Sequence, residues 1–187
     1  MTCPSGVAFT RGGDNFSSQH VSMSYVARIC NERPRGAAEA EILGVLTHEL
    51  VHSIQHSCKG MPGGLVEGIA DAFRLECGLG AQHWREVQGE VTFNWDAGYE
   101  KTAFFLHWIA RHTQKPDFLP LLNRACQHSF SESVFEEVTG TPVHELWKQY
   151  CHSRQQAASV RDGYRVAYLP PDSFGLAPHL QKQATSK

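Results

Sequence analysis

The run Thr47-His-Glu-Leu-Val-His-Ser-Ile-Gln-His56 constrains this chain more than any other stretch. On a helix of 3.6 residues per turn, His48 and His52 lie one above the other, so their ring nitrogens can reach the same point in space from one face. Glu49 is offset by one residue. That position suits a base acting on a water beside the shared point better than a third donor to it.

The surrounding residues support a helix over about 37–56. Ile42, Val45, Leu46, Leu50 and Ile54 recur at three- and four-residue intervals, which predicts a broad apolar face anchored in the core. Glu39 and Glu41 fall in the first turns, where acidic side chains favour the helix dipole, and Gly60 with Pro62 behind it marks the end. Upstream, residues 6–26 read as strands. Val7 to Thr10 is β-prone, Val21, Met23 and Tyr25 alternate with His20, Ser22 and Ser24, and Gly12-Gly13-Asp14-Asn15 supplies a turn. The edge from Val21 to Val26 could pair with an extended peptide, although plain core strands fit the same residues.

A second helix is predicted over about 64–77, closed by Gly78. It places Glu67 and Asp71 four residues apart on one face amid apolar neighbours. Carboxylates in such surroundings need partners. A metal ion for Glu67 and a ligand histidine for Asp71 would supply them, because a metal-bound imidazole usually donates its other N–H to a carboxylate. The competing reading is an exposed polar stripe with Arg74. Gly78 to Asp96 reads as a loop carrying His83-Trp84, and helices then fill 97–157. The first is capped by Asp96, holds Tyr99 in its first turn and runs to His112. Asp117 caps the next, Ser133-Val-Phe-Glu136 is a capping box for a short one ending at Gly140, and Thr141-Pro142 starts the last. Residues 158–187 read as a tail, with Tyr164 to Tyr168 extended and Gln181 to Lys187 disordered. The predicted class is α+β, with a single, mostly helical domain over 1–157 and a short N-terminal sheet.

A catalytic zinc ion needs three protein donors and one open position. His48, His52 and Glu67 form the predicted set, holding one Zn2+ per chain. Water on such an ion has a pKa of about 7, and Glu49 would take its proton during attack on a peptide carbonyl and pass it to the leaving amine. Tyr99 is the first choice as a donor to the oxyanion and His83 the second, though each also fits as a packed aromatic or a loop histidine. The expected function is therefore zinc-dependent hydrolysis of a peptide or protein substrate. The alternative is a non-catalytic zinc-binding or partner-binding module, which would not need Glu49. The longer pattern H-E-x-x-H-x-x-G-x-x-H fails, since Gln55 and Cys58 stand where its glycine and third histidine belong.

Composition removes other classes. Seventeen basic against 19 acidic residues, a net charge of -2, argues against nucleic acid or anionic membrane as partners, and no run of about 18 apolar residues is present. Six widely spaced cysteines without C-x-x-C signal neither a zinc knuckle nor a redox motif, while their even number permits disulfides.

Several segments together carry a resemblance. They are Gly44-Val-Leu-Thr-His-Glu-Leu-Val-His52, Pro62-Gly-Gly-Leu-Val-Glu-Gly-Ile-Ala-Asp-Ala-Phe-Arg-Leu75, His83-Trp84, Trp95-Asp-Ala-Gly-Tyr99 with Thr102-Ala-Phe-Phe-Leu106, and Glu145-Leu-Trp147. From Gly6 to about Cys151 the chain resembles the plant basic secretory proteins, also called peptidases of plants and bacteria, and within them the fungal members. The resemblance implies a zincin-like metallopeptidase of the thermolysin-like kind, whose Glu-x-x-x-Asp helix supplies the third ligand and the acid behind a ligand histidine. That assigns these roles to Glu67 and Asp71. The chain departs from the family in being near neutral and in showing no leader among its first residues, which sets an intracellular expectation. It also begins close to its first matching strand, where members carry further sheet-forming sequence. The expectation is a shortened version, secreted if its N-terminus has been cut back.

Overall fold

The structure, a computed structural model, describes residues 6–13 and 16–167. Strands β1 (Ala8–Gly13) and β2 (Phe16–Val21) form an antiparallel pair that sets Ala8 opposite Val21 and Gly13 opposite Phe16. Among the described residues seven helices follow: α1 (Met23–Glu32), α2 (Arg35–His52), α3 (Gly63–Glu76), α4 (Tyr99–His112), α5 (Phe118–Ala125), α6 (Ser133–Thr139) and α7 (Val143–Ala167). The class is α+β, mostly helical with one small sheet among the described residues.

The strand region ends sooner than the alternation of Val21, Met23 and Tyr25 predicts. Ser22 caps α1, its Oγ accepting the Tyr25 N–H at 3.3 Å, and the helical spacing of Val26 and Ile29 buries Ile29. Residues 23–26 are therefore helix, and the expected peptide-pairing edge is not there. β1 instead lies beside α2, where the Thr10 hydroxyl lies 2.8 Å from the Glu49 carbonyl.

Of the predicted apolar face of α2, Val45 is buried as expected, but most of the rest points outward. Leu46, Leu50 and Ile54, with Leu43, are 39–68% exposed, whereas the inward face is Ala38, Glu41, Gly44, Val45, Glu49 and Val51. The reason is what α2 packs against. Its inner side meets α3 through small residues and buried charge, which leaves no room for a row of leucines. Glu41 serves this contact instead of the helix dipole: it accepts from Tyr25 Oη at 3.0 Å, Arg33 at 3.1 Å and Arg74 at 3.2 Å. Burial works against its charge, but Tyr25, Arg74 and Arg33 outweigh it and hold the carboxyl below its usual range. Burial and then Glu41 push the Tyr25 hydroxyl up to about 12. Gly44 makes space for the Arg74 guanidinium, which donates from Nε to the Leu79 carbonyl at 2.7 Å. α2 ends at His52, short of residue 56, because Ser53 to Gln55 turn back onto the Leu50 and Val51 carbonyls.

The core is built on the other side of α3. Leu65, Ile69 and Ala72 meet Ala103, Leu106 and Ile109 of α4, all 0% exposed, and Phe118, Leu122, Phe135, Leu146 and Tyr150 close the cluster. Trp147 packs edge-on to Phe105 at 4.9 Å and stacks on Tyr150 at 5.3 Å. Several caps differ from expectation. Gly98, not Asp96, precedes α4; Thr102 Oγ1 accepts the Gly98 N–H at 2.8 Å and donates to the Trp95 carbonyl at 2.9 Å, tying the loop from within the helix. Asp117 occupies the cap position of α5 without a side-chain bond, and Ser133 is the first residue of α6, so its capping box does not form; Ser131 Oγ accepts the Ser133 N–H instead. α7 continues through Ala167, so 164–167 is helical rather than extended. Gln155-Gln-Ala-Ala158 sustains it through strong helix formers. The expected disorder of Gln181 to Lys187 lies outside the described residues.

A Cβ at position 44 would overlap Arg74 and the Leu79 carbonyl, whereas one at 36 meets nothing within 4 Å. Gly44→Ala is expected to cost about 1–3 kcal/mol. Gly36→Ala should be neutral or slightly stabilising, and thermal denaturation of the two variants side by side checks the difference.

Candidate metal centre

Three side chains from two helices converge on one point. His48 and His52, one turn apart at the end of α2, bring their Nε2 atoms to 2.9 Å, and Glu67 Oε2 of α3 lies 3.2 Å from the first and 3.6 Å from the second. A tetrahedral ion with bonds of about 2.0–2.1 Å has donor-to-donor edges of roughly 3.3 Å. The observed triangle brackets that value, so the donor set fits a metal ion in both element type and spacing.

The support behind the donors is equally specific. Asp71 Oδ1 stands 2.7 Å from His48 Nδ1, which makes Nδ1 the protonated nitrogen and turns the Nε2 lone pair toward the shared point. Asp71 and Arg74 are 2% and 5% exposed, which excludes the exposed polar stripe. Without a metal, burial opposes a charge on His48, but the hydrogen bonds and charges of Asp71 and Glu67 prevail and push it up to about 9. The same bonds from His48 and His52 outweigh burial at Glu67 and hold it at about 2.

Glu49 is buried beside His48 on α2, and its Oε2 is 2.7 Å from the Thr10 hydroxyl. Thr10 escapes sequence reading because it lies 39 residues upstream in a strand and belongs to no motif. Tyr99 opens α4 at φ 47°, a left-handed conformation that follows Gly98 at φ 93°. Its ring lies nearly parallel to that of His48 at 6.4 Å, and Glu67, then burial, Asp71 and Glu49 push its hydroxyl up. Gly64 allows this loop in, since a side chain there would overlap the Asp96 carbonyl. His83 is exposed in the connection after α3. A cleft of about 1260 Å³ is lined by all seven side chains singled out in the sequence: His48, Glu49, His52, Glu67, Asp71, His83 and Tyr99.

Comparison with known families gives one result. A family model described as peptidase of plants and bacteria matches residues 3–150. The chain belongs to this family. No curated protein and no solved structure matches it closely enough to add a second comparison. In this member of the peptidase of plants and bacteria family, the matched span covers the hairpin, both donor-bearing helices, the Tyr99 loop and the start of α7. No helix among the described residues is long and apolar enough to cross a membrane.

Because the folded value of His48 is raised, its charge stabilises the metal-free protein fully below its unfolded value of about 6.5, and that contribution is lost as pH rises through about 9. The Tm of metal-free protein is expected to fall over this interval, and His48→Gln to flatten the slope. Saturation with a divalent transition metal should reverse it, since the donor nitrogen must then be free of its proton.

Proposed function

We propose that the protein is a zinc-dependent peptidase of zincin-like fold, holding one Zn2+ through His48, His52 and Glu67. The observation that carries this reading is the convergence of the three donor atoms within 2.9–3.6 Å beside the buried Glu49 carboxylate, in a chain of a peptidase family. Two imidazoles and one carboxylate are a set that suits catalytic zinc. When bound, zinc polarises a peptide carbonyl and lowers the pKa of a water to about 7.

The chain's own residues supply the other steps. Asp71 keeps the His48 proton on Nδ1, so Nε2 stays a donor to the metal. Thr10 holds Glu49 Oε2, leaving Oε1 to accept a proton as water attacks the peptide carbonyl; Glu49 then delivers that proton to the leaving amine. The Tyr99 hydroxyl, with His83 as second candidate, donates to the oxyanion that the carbonyl becomes. A peptide or protein substrate lies in the cleft along β1, which lines it through Ala8, Phe9 and Thr10.

Digestion of a peptide library is expected to proceed with zinc, stop with a chelator and resume on zinc addition. Glu49→Gln should retain about one zinc per chain while kcat falls about 10²- to 10⁴-fold, and unchanged cleavage would reject Glu49 as the base. Tyr99→Phe is expected to lower kcat by about 10²- to 10³-fold at little altered KM. Glu67→Ala should lower the bound zinc itself, read by metal analysis of the purified protein.

A further inference from the structure

The cleft does not stop at the donor atoms. It continues along α2 toward that helix's N-terminus, where α1 packs against it, and there it is lined by Tyr25, Arg28, Arg33 and Glu41. The charges in this wall do not cancel. Glu41 is a single carboxylate shared by two guanidiniums, those of Arg33 at 3.1 Å and Arg74 at 3.2 Å. Arg28 adds a third, its Cζ lying 5.4 Å from the centre of the Tyr25 ring. Its ion pair with Glu32 is exposed on both sides and therefore weak. The other acids lining the cleft are Glu49, Glu67 and Asp71 around the donors and Glu100 next to Tyr99. Positive charge is thus in excess at the α1 end alone.

The two guanidiniums on Glu41 are not equivalent. Arg74 is 5% exposed and engages the Leu79 carbonyl through Nε and Glu41 through Nη2, with Trp84 against its face. Arg33 keeps 24% of its side chain exposed and engages Glu41 through Nη1 only, so most of its five-donor fork is free for a ligand in the cleft. A planar, always charged guanidinium in a partly dry wall binds a carboxylate far better than a neutral amide. Position follows from α2. Glu41 stands seven residues before His48, about 10 Å along the helix at 1.5 Å per residue. An extended peptide, rising about 3.3 Å per residue, spans that length in about three residues.

We infer that Arg33, assisted by Arg28, forms a carboxylate-binding subsite that selects peptides carrying a negative charge about three residues from the scissile bond. The inference rests on the peptidase reading and adds a preference among its substrates. The carboxylate belongs to an Asp or Glu side chain or to the free C-terminus of the peptide, since the same fork receives either.

The test uses the full chain with zinc and a peptide set in which one Glu is moved through a neutral sequence with both ends blocked. Matched peptides carry Gln in place of Glu, or a free C-terminus and no Glu. Cleavage by the unaltered chain is read by mass spectrometry, and binding to the Glu49→Gln chain by fluorescence polarisation. Glu at one position, two to four residues from the cut, is expected to raise kcat/KM and lower Kd on the order of tenfold relative to Gln. Added salt should shrink the gain. Arg33→Gln, which leaves Glu41 its bonds to Tyr25 and Arg74, should bring the Glu-to-Gln ratio close to one, and Arg28→Gln should lower it part of the way. A gain from the free C-terminus alone assigns the subsite to the terminal carboxylate. Equal binding and cleavage across the set, or a preference that survives Arg33→Gln, overturns the subsite. The peptide comparison requires no change at Arg33 and so decides without that variant. Charge-dependent binding without cleavage would keep the subsite and reject the peptidase reading, and cleavage indifferent to charge would do the reverse.

Discussion

The seam of paired charges between α2 and α3 is the constraint on which the site depends. Glu67, Asp71 and Arg74 fall at i, i+4 and i+7 on α3 and meet, in turn, His52 and His48, then His48, then Glu41 on α2. A buried ion that loses its partner costs about 3–5 kcal/mol. The helices therefore cannot slip by a turn without stranding a charge. The Glu41–Arg74 pair, which lies away from the donor atoms, thus fixes the register in which those atoms converge.

α3 works on both sides. One face carries the charged stripe, and the opposite face, through Leu65 and Ile69, is fully buried in the core against α4. A side chain that must hold an atom to within a few tenths of an ångström is better placed on such a helix than on a loop. The same contact delivers Tyr99, because the loop pressed against Gly64 turns directly into α4. The hairpin completes the arrangement from the other side of α2 by fixing Glu49 through Thr10.

This division of labour explains why α2 is poorly described by its hydrophobic pattern. Its leucines follow helical spacing, yet the face they form is largely exposed, since the inner face is given over to Gly44, Val45 and the charged seam. Periodicity reports that a stripe exists, not which neighbour it meets. Glu41 could have been found by the reasoning that singled out Asp71, as an acid among apolar residues that must find a partner. Thr10 could not, because its role arises only when a strand crosses a distant helix.

By itself the sequence determined the helical placement of His48, Glu49 and His52, the second helix with Glu67 and Asp71, and the short N-terminal hairpin. These follow from local periods and from chemistry that needs particular residue types at particular spacings. Only the tertiary structure decided that Met23 to Glu32 is a helix, that the leucine stripe of α2 faces outward, and that α7 runs on to Ala167. It alone brought Thr10 to Glu49 and Arg74 to Glu41. Those pairings join residues 39 and 33 positions apart, and what brings them together is the packing of whole elements rather than any pattern along the chain.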